Sequence, residues 1–265
     1  MAGSGMAGLA HGWSIQVRVI KALMLRELTT RFGRENIGFL WMMVEPMLFA
    51  LLVSVLWRFA IGTHEHGIGI AAFTVSAYIP IVLFRHAVNK TTGVFRANGS
   101  LMYHCQVKVL DFIFVRFLIE FVGHMMAYVV IGIALWMVDL MPTPYDLGFV
   151  LMGWFYWSLF SFAVCVILAP IGEMSELVEK FLPVTTYIMV PLSGAFHLMA
   201  WLTPSARAML AWSPLVHGME MMRFGLFGHV MTPYFEYGYT LKVSAVLILL
   251  GLALCRRVRR NLVVE

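Results

Sequence analysis

The stretch LGFVLMGWFYWSLFSFAVCVILAP, residues 147–170, carries no charged side chain from end to end. As a helix it would rise roughly 36 Å, enough to cross the ~30 Å hydrocarbon core of a bilayer. Its apolar residues do not alternate with polar ones, so it does not read as a strand of a lipid-facing barrel. The stretch reads as a transmembrane α-helix.

The rest of the chain follows the same pattern. Further apolar runs cover residues 38–61, 69–88, 112–138, 181–202 and 239–255, each about 17 to 27 residues long and able to span as a helix. Hydrophobic residues make up 61% of the chain and charged ones 12%, against about half and about a quarter in soluble domains. The expected fold is all-α integral membrane with six transmembrane helices: a segment 1–35, a membrane domain 36–258 and a tail 259–265. Residues 1–12 lack a basic lead and an apolar core, so no secretion signal is expected. Three cysteines do not form a disulfide framework.

The basic residues sit in alternate gaps. Arg18, Lys21, Arg26, Arg31 and Arg34 precede the first run, Lys90, Arg96 and Lys108 follow the second, Lys180 follows the fourth, and Arg256, Arg257, Arg259 and Arg260 close the chain. The gaps around His64-Glu65-His66 and from Asp139 to Asp146 hold no Lys or Arg. Cytoplasmic loops carry the excess of positive charge, so both termini are expected in the cytosol. The formal charge of +5 is then a topological signature. Nucleic-acid binding would need a soluble basic face, and none is expected.

Before the first run, Trp13, Val17, Ile20, Met24 and Leu28 recur on one helical face, with Arg18, Lys21 and Thr29 opposite. Such a helix lies in the membrane interface; Trp13, Arg18, Lys21, Arg26 and Arg31 are its candidate anchors, and packing on a soluble partner is the alternative. The first run carries Glu45-Pro46, a proline that would kink it. After the second run, ANGSLMYHCQVKVLD (97–111) reads as a turn followed by a short helix over about 101–110. Tyr103, Gln106 and Lys108 there suit docking of a soluble subunit, and Asp111 could cap the third span; a plain connecting loop is the alternative. Beyond the fifth run, Thr203-Pro204 and Ser213-Pro214 each pair a capping hydroxyl with a proline at the first helical position. They predict helices at about 204–212 and 214–227, too short to cross singly and together a re-entrant hairpin at the outer face.

Known catalytic patterns are absent. The sequence has no His-Glu-x-x-His pair, no Gly-x-Ser-x-Gly elbow and no Walker A loop, since Lys90-Thr91 follows Val88-Asn89 rather than glycines. No catalytic residue, metal ligand or directly bound cofactor is expected, and any ATP would be bound by another chain. His217, Glu220 and Arg223 repeat every third residue on the second hairpin helix. Polar groups at that depth are costly to bury unpaired, which suggests either a gate or a structural network. Arg116, Glu120 and His124 share a face of the third span and are expected to pair toward the bundle interior. Aromatics crowd the first span (Phe39, Trp41, Phe49) and the fourth (Trp154, Tyr156, Trp157, Phe160). Helix packing with an interfacial belt is one reading; a conduit on whose flat ring faces sugars slide is the other.

The interfacial helix, RFGRENIGFLWMMVEP (31–46), ANGSLMYHCQVKVLD (97–111) and SPLVHGMEMMR (213–223), in this order before a last span, resemble the membrane subunit of bacterial ABC-type polysaccharide exporters, most closely KpsM-like capsule exporters. The resemblance covers nearly the whole chain. It implies a homodimer bound to two copies of a separate ATPase, which supplies the ATP and Mg site, with residues 101–110 as the coupling helix and 204–227 as the periplasmic re-entrant pair. It also implies a lipid-linked, usually acidic capsular polysaccharide handed to periplasmic and outer-membrane export proteins, from the bacterial inner membrane. Spans one, two and five are the expected walls of the path, with the span-four aromatics nearby. Exporters of O-antigen, teichoic acid or small lipophilic molecules share the six-span plan. A secondary carrier or an intramembrane enzyme would be the reading of another class, though no internal repeat favours a carrier.

Overall fold

The computed structural model describes residues 2–32, 44, 47–53, 55, 56, 59, 64, 65, 67–99 and 107–262. In chain order its helices are α1 (Ala2–Phe32), α2 (Ile70–Asn89), α3 (Val109–Met137), α4 (Leu147–Met174), α5 (Glu176–Ile188), α6 (Pro204–Leu210), α7 (Pro214–Phe227) and α8 (Tyr237–Leu262). Residues 47–53 of the first apolar run are also helical. A two-residue antiparallel ribbon, His64–Glu65 against Ile68–Gly69, leads into α2.

Among the described residues, four helices are long and apolar enough to cross a membrane: α2, α3, α4 and the Tyr237–Val258 part of α8. The quoted stretch is α4. Asp146 caps its start, accepting from the Gly148 N–H at 2.7 Å, which satisfies one of the amides a helix leaves open. α3 begins at Val109, three residues before the expected run, because the Lys108 N–H donates to Asp111 Oδ2 at 2.8 Å and draws the polar lead into the first turn.

The fifth run departs from expectation. Residues 181–202 do not form one helix. α5 ends at Ile188, 3-10 turns follow at Pro191–Ser193 and Met199–Trp201, and Gly194 between them has φ +77°. Pro191 has no N–H to extend the ladder, and Gly194 takes the left-handed conformation that other residues resist. The expected hairpin helices are present as α6 and α7, starting at Pro204 and Pro214.

α4 is the hub, with α7 and α8 laid along it. Glycines permit the closest approaches. A Cβ on Gly225 would lie 2.5 Å from the Val150 nitrogen, and one on Gly251 would lie 2.7 Å from the Val166 carbonyl. Without a solvent-driven hydrophobic effect inside lipid, such small-residue contacts carry helix association.

α1 rests on α3 through Leu23, with Ile20, Met24 and Leu28 half-buried beside it. Polar ties fix it at the basic end of the bundle. Gln16 bonds Asp111, Arg26 donates to Asn98 Oδ1 at 2.7 Å, and Glu27 pairs with Arg116 at 3.2 Å. Arg18 and Lys21 are exposed on the other side, which is the expected amphipathic division.

Candidate functional site

A cavity of about 560 Å³ opens where α5 stops. Its walls come from Phe49 and Val53 on the first-run helix, from the Phe73–His86 face of α2, and from Tyr187 through Phe196. A continuous fifth helix would carry its side chains along one line. The break at Pro191 and Gly194 instead turns Ala195 and Phe196 into the wall. Phe49 and Tyr78 stack with ring centroids 5.5 Å apart and planes 4° from parallel. Most of the lining is apolar. Toward the Asn89 end of α2 it carries Arg85, whose guanidinium lies 3.7 Å from the centre of the Tyr187 ring, and His86. The cavity is thus aromatic along its length and cationic at one end, a chemistry that suits ring stacking together with an anionic group.

Two of the polar triplet on α7, Glu220 and Arg223, serve the broken segment behind this wall. Arg223 is fully buried and donates to the carbonyls of Gly194 (2.6 Å), Ala195 (2.6 Å) and His197 (3.0 Å). Its guanidinium also sits 3.9 Å above the Phe73 ring. Glu220 accepts the Met199 N–H at 3.0 Å. Arg207, on α6, donates to the Met199 and Leu202 carbonyls at 2.9 and 3.1 Å. Non-helical backbone at membrane depth must find such partners inside the protein. His217 Nδ1 accepts the Glu236 N–H at 3.1 Å, and Nε2 faces the Ala211 carbonyl at 3.0 Å, so the ε-protonated imidazole satisfies both and ties the hairpin to the lead of α8. Among the described residues, no hydrogen bond or ion pair joins His217, Glu220 and Arg223 to one another. Each bonds backbone instead, Glu220 and Arg223 in the broken segment and His217 at Ala211 and Glu236, an arrangement that favours the network reading over the gate.

The span-four aromatics do not line the cavity. Trp154, Tyr156, Trp157 and Phe160 are all buried within the single chain, so no second copy could uncover them. Trp157 donates its Nε1–H to the Pro80 carbonyl at 2.8 Å, and Trp154 meets Tyr128 edge-on at 5.1 Å. Tyr156, Trp157 and Phe160 are packed between helices, and Trp154 also borders a second cavity of about 380 Å³. Of the first-span rings Phe49 lies on the cavity; Phe39 and Trp41 fall outside the described residues, as do Tyr103 and Gln106. Lys108 and Asp111 sit at the start of α3, and Asp111 is buried, its carboxylate engaged by Gln16 and by the Lys108 amide. Trp13 is 73% exposed, and the Arg31 side chain is outside the described set.

The shared face of α3 does turn inward. Glu120 and His124 are fully buried, and Lys90 Nζ reaches Glu120 Oε1 at 2.9 Å. Arg116 is held apart from them by Glu27 and by the Lys90 carbonyl, to which its Nη1 donates at 2.8 Å. Sequence reading missed Tyr78, Tyr187, Phe196 and Arg207 as site residues. Arg207 alone had a signal, being one of two basic residues in the gap after the fifth run.

Among the described residues, a helical bundle with four helices long and apolar enough to cross a membrane fits a membrane transport subunit. The chain belongs to the ABC-2 type transporter family, whose pattern matches residues 18–227. It is 38% identical over 243 residues to the capsule polysaccharide export inner-membrane protein CtrC of Neisseria meningitidis, covering 92% of each chain. It is 35% identical over 243 residues to BexB of Haemophilus influenzae, of the same description, again covering 92% of each. The polysialic acid transport protein KpsM of Escherichia coli is 24% identical over 245 residues, 92% of this chain and 95% of that one.

Proposed function

We propose that this chain is the membrane-spanning subunit of an ATP-driven exporter that carries a lipid-linked capsular polysaccharide across the inner membrane. The observation that carries the reading is the aromatic cavity with its cationic end, bounded by the first, second and fifth runs. Its flat apolar walls would pass successive sugar rings without holding any one of them, and Arg85 would attract acidic groups of the polymer or its lipid anchor. The relatives' descriptions point the same way.

On this reading the chain crosses six times, the fifth crossing being completed by the broken segment after α5, and both termini lie in the cytosol. Two copies face each other and bind two copies of a separate ATPase, which holds ATP and Mg. Residues 101–110, with Tyr103, Gln106 and Lys108, form the contact with that ATPase. Asp111, the fourth residue of that group, would brace the contact through its bond to Gln16 of α1. Periplasmic and outer-membrane export proteins receive the product. Hydrolysis belongs to the partner, so this chain is not an enzyme by itself. Export of another glycan or of a small lipophilic molecule would use the same frame.

Complementation of a chromosomal deletion tests the reading. The deletion strain should accumulate polymer inside the cell, and the wild-type chain should restore surface polymer. The Arg85→Ala chain should reach the membrane in normal amount yet restore severalfold less polymer, and Arg85→Lys should recover part of the loss because it keeps the charge but not the planar stack on Tyr187. Normal surface polymer in the deletion strain would refute the proposal.

A further inference from the structure

The contact between α2 and α3 brings three metal-ligating side chains together next to the cavity. Glu120 and His124 stand one helical turn apart on α3, the i, i+4 spacing that puts two ligands on one face. His86 approaches from α2. One ligand atom from each lies within 4.8 Å of the others. The Nδ1 atoms of His86 and of His124 each lie 3.9 Å from Glu120 Oε2, and the two imidazoles meet edge-on with centroids 5.4 Å apart. From these distances we infer that His86, Glu120 and His124 form a site for a divalent transition metal of the zinc type.

The chemistry of the donors sets that class. Two imidazoles and one carboxylate suit zinc and its neighbours rather than calcium or magnesium, which prefer oxygen. Zinc with bonds of about 2.0–2.1 Å holds its ligands roughly 3.3–3.4 Å apart, so the 3.9 Å between His86 Nδ1 and Glu120 Oε2 closes with a few tenths of an ångström of movement on each side.

The surroundings supply outer contacts of the kind such sites use. The carboxylate divides its work: Oε1 takes Lys90 at 2.9 Å, and Oε2 faces the imidazoles. The Glu120 carbonyl lies 2.8 Å from His124 Nδ1 and accepts the proton there, which leaves Nε2 as the nitrogen that His124 would offer a metal. Positive charge nearby opposes a cation, and part of it is committed elsewhere. Arg116 is paired with Glu27, while Arg85 keeps its charge above the Tyr187 ring. Lys90 bonds Glu120 directly, but its side chain is 43% exposed and can withdraw along its flexible stem toward water. An entry path exists as well, because His86 is part of the cavity wall. A bound metal would then join α2 to α3 at their basic ends.

Isothermal titration of the full, tag-free chain in detergent with Zn²⁺, in chelator-free buffer, tests the site. The wild type should bind one ion per chain. His86→Gln and His124→Gln should each weaken binding at least tenfold, and His11→Gln, on the exposed face of α1, should leave it unchanged. Zn²⁺ should raise the unfolding temperature of the wild type and not that of His86→Gln. His86 is the most exposed of the three ligands, so this variant decides the matter if His124→Gln fails to fold. Absence of saturable binding below about 1 mM, or binding that both ligand variants leave intact, overturns the inference.

Discussion

Replacing Arg223 with Met should cost the chain about 3–5 kcal/mol of stability, the range for stranding the partners of a buried charged group. Met fills much the same volume, so the loss reports the hydrogen bonds together with the cation–π contact over Phe73. Three carbonyls, those of Gly194, Ala195 and His197, would lose their donor at once, and each buried polar group left without a partner costs about 1–3 kcal/mol. The segment they belong to cannot compensate by becoming a helix, because Pro191 interrupts the ladder and Gly194 is left-handed. Arg223→Lys should fall between, since an ammonium is a point donor and cannot span carbonyls as the guanidinium fork does. Unfolding of the purified chain in mixed detergent measures the difference. A loss under 1 kcal/mol for Arg223→Met would mean that the broken segment is held some other way.

The second large effect is expected from a single methyl group. Gly225→Ala on α7 places a Cβ 2.5 Å from the Val150 nitrogen and 2.8 Å from the Asp146 carbonyl oxygen of α4. Both are backbone atoms at a capped helix start, where Asp146 also donates its N–H to the Gly225 carbonyl at 2.9 Å. They cannot turn aside as a side chain would, so the helices must separate. A cost of about 1–3 kcal/mol is expected, the usual range for overpacking, together with lower levels of the chain in membranes. Gly12→Ala is the control. Nothing lies within 4 Å of its added Cβ, and alanine in a helix is favoured by about 1 kcal/mol over glycine. Equal unfolding of the two variants would contradict the packing described for α4 and α7.

Hydropathy located α2, α3, α4 and α8, because long, predominantly apolar runs admit one solution in lipid. The hairpin was legible too: Thr203-Pro204 and Ser213-Pro214 place a hydroxyl residue and a proline where α6 and α7 begin. The fifth run misled, because hydropathy sums over a window and does not register what Pro191 and Gly194 do to the backbone inside it. The aromatics of α4 were ambiguous for a related reason. That helix is apolar on every side, so no periodicity tells which rings meet neighbours and which meet an opening. The triplet on α7 was legible as a face. Its partners were not, since the carbonyls that Arg223 serves carry no sequence signal. Identifying the first, second and fifth runs as cavity walls came from the resemblance rather than from the residues, and the break that opens the cavity emerged only in the fold.

The claim that the cavity is the polymer's path is tested most directly by photo-crosslinking in exporting cells. A benzophenone amino acid would be placed at Tyr78 or Phe196, on the cavity, and at Trp157, in the core of the bundle. Positions 78 and 196 should capture the capsular glycan, and position 157 should capture none. Glycan adducts at position 157, with none at 78 or 196 in cells that still export, would contradict the account.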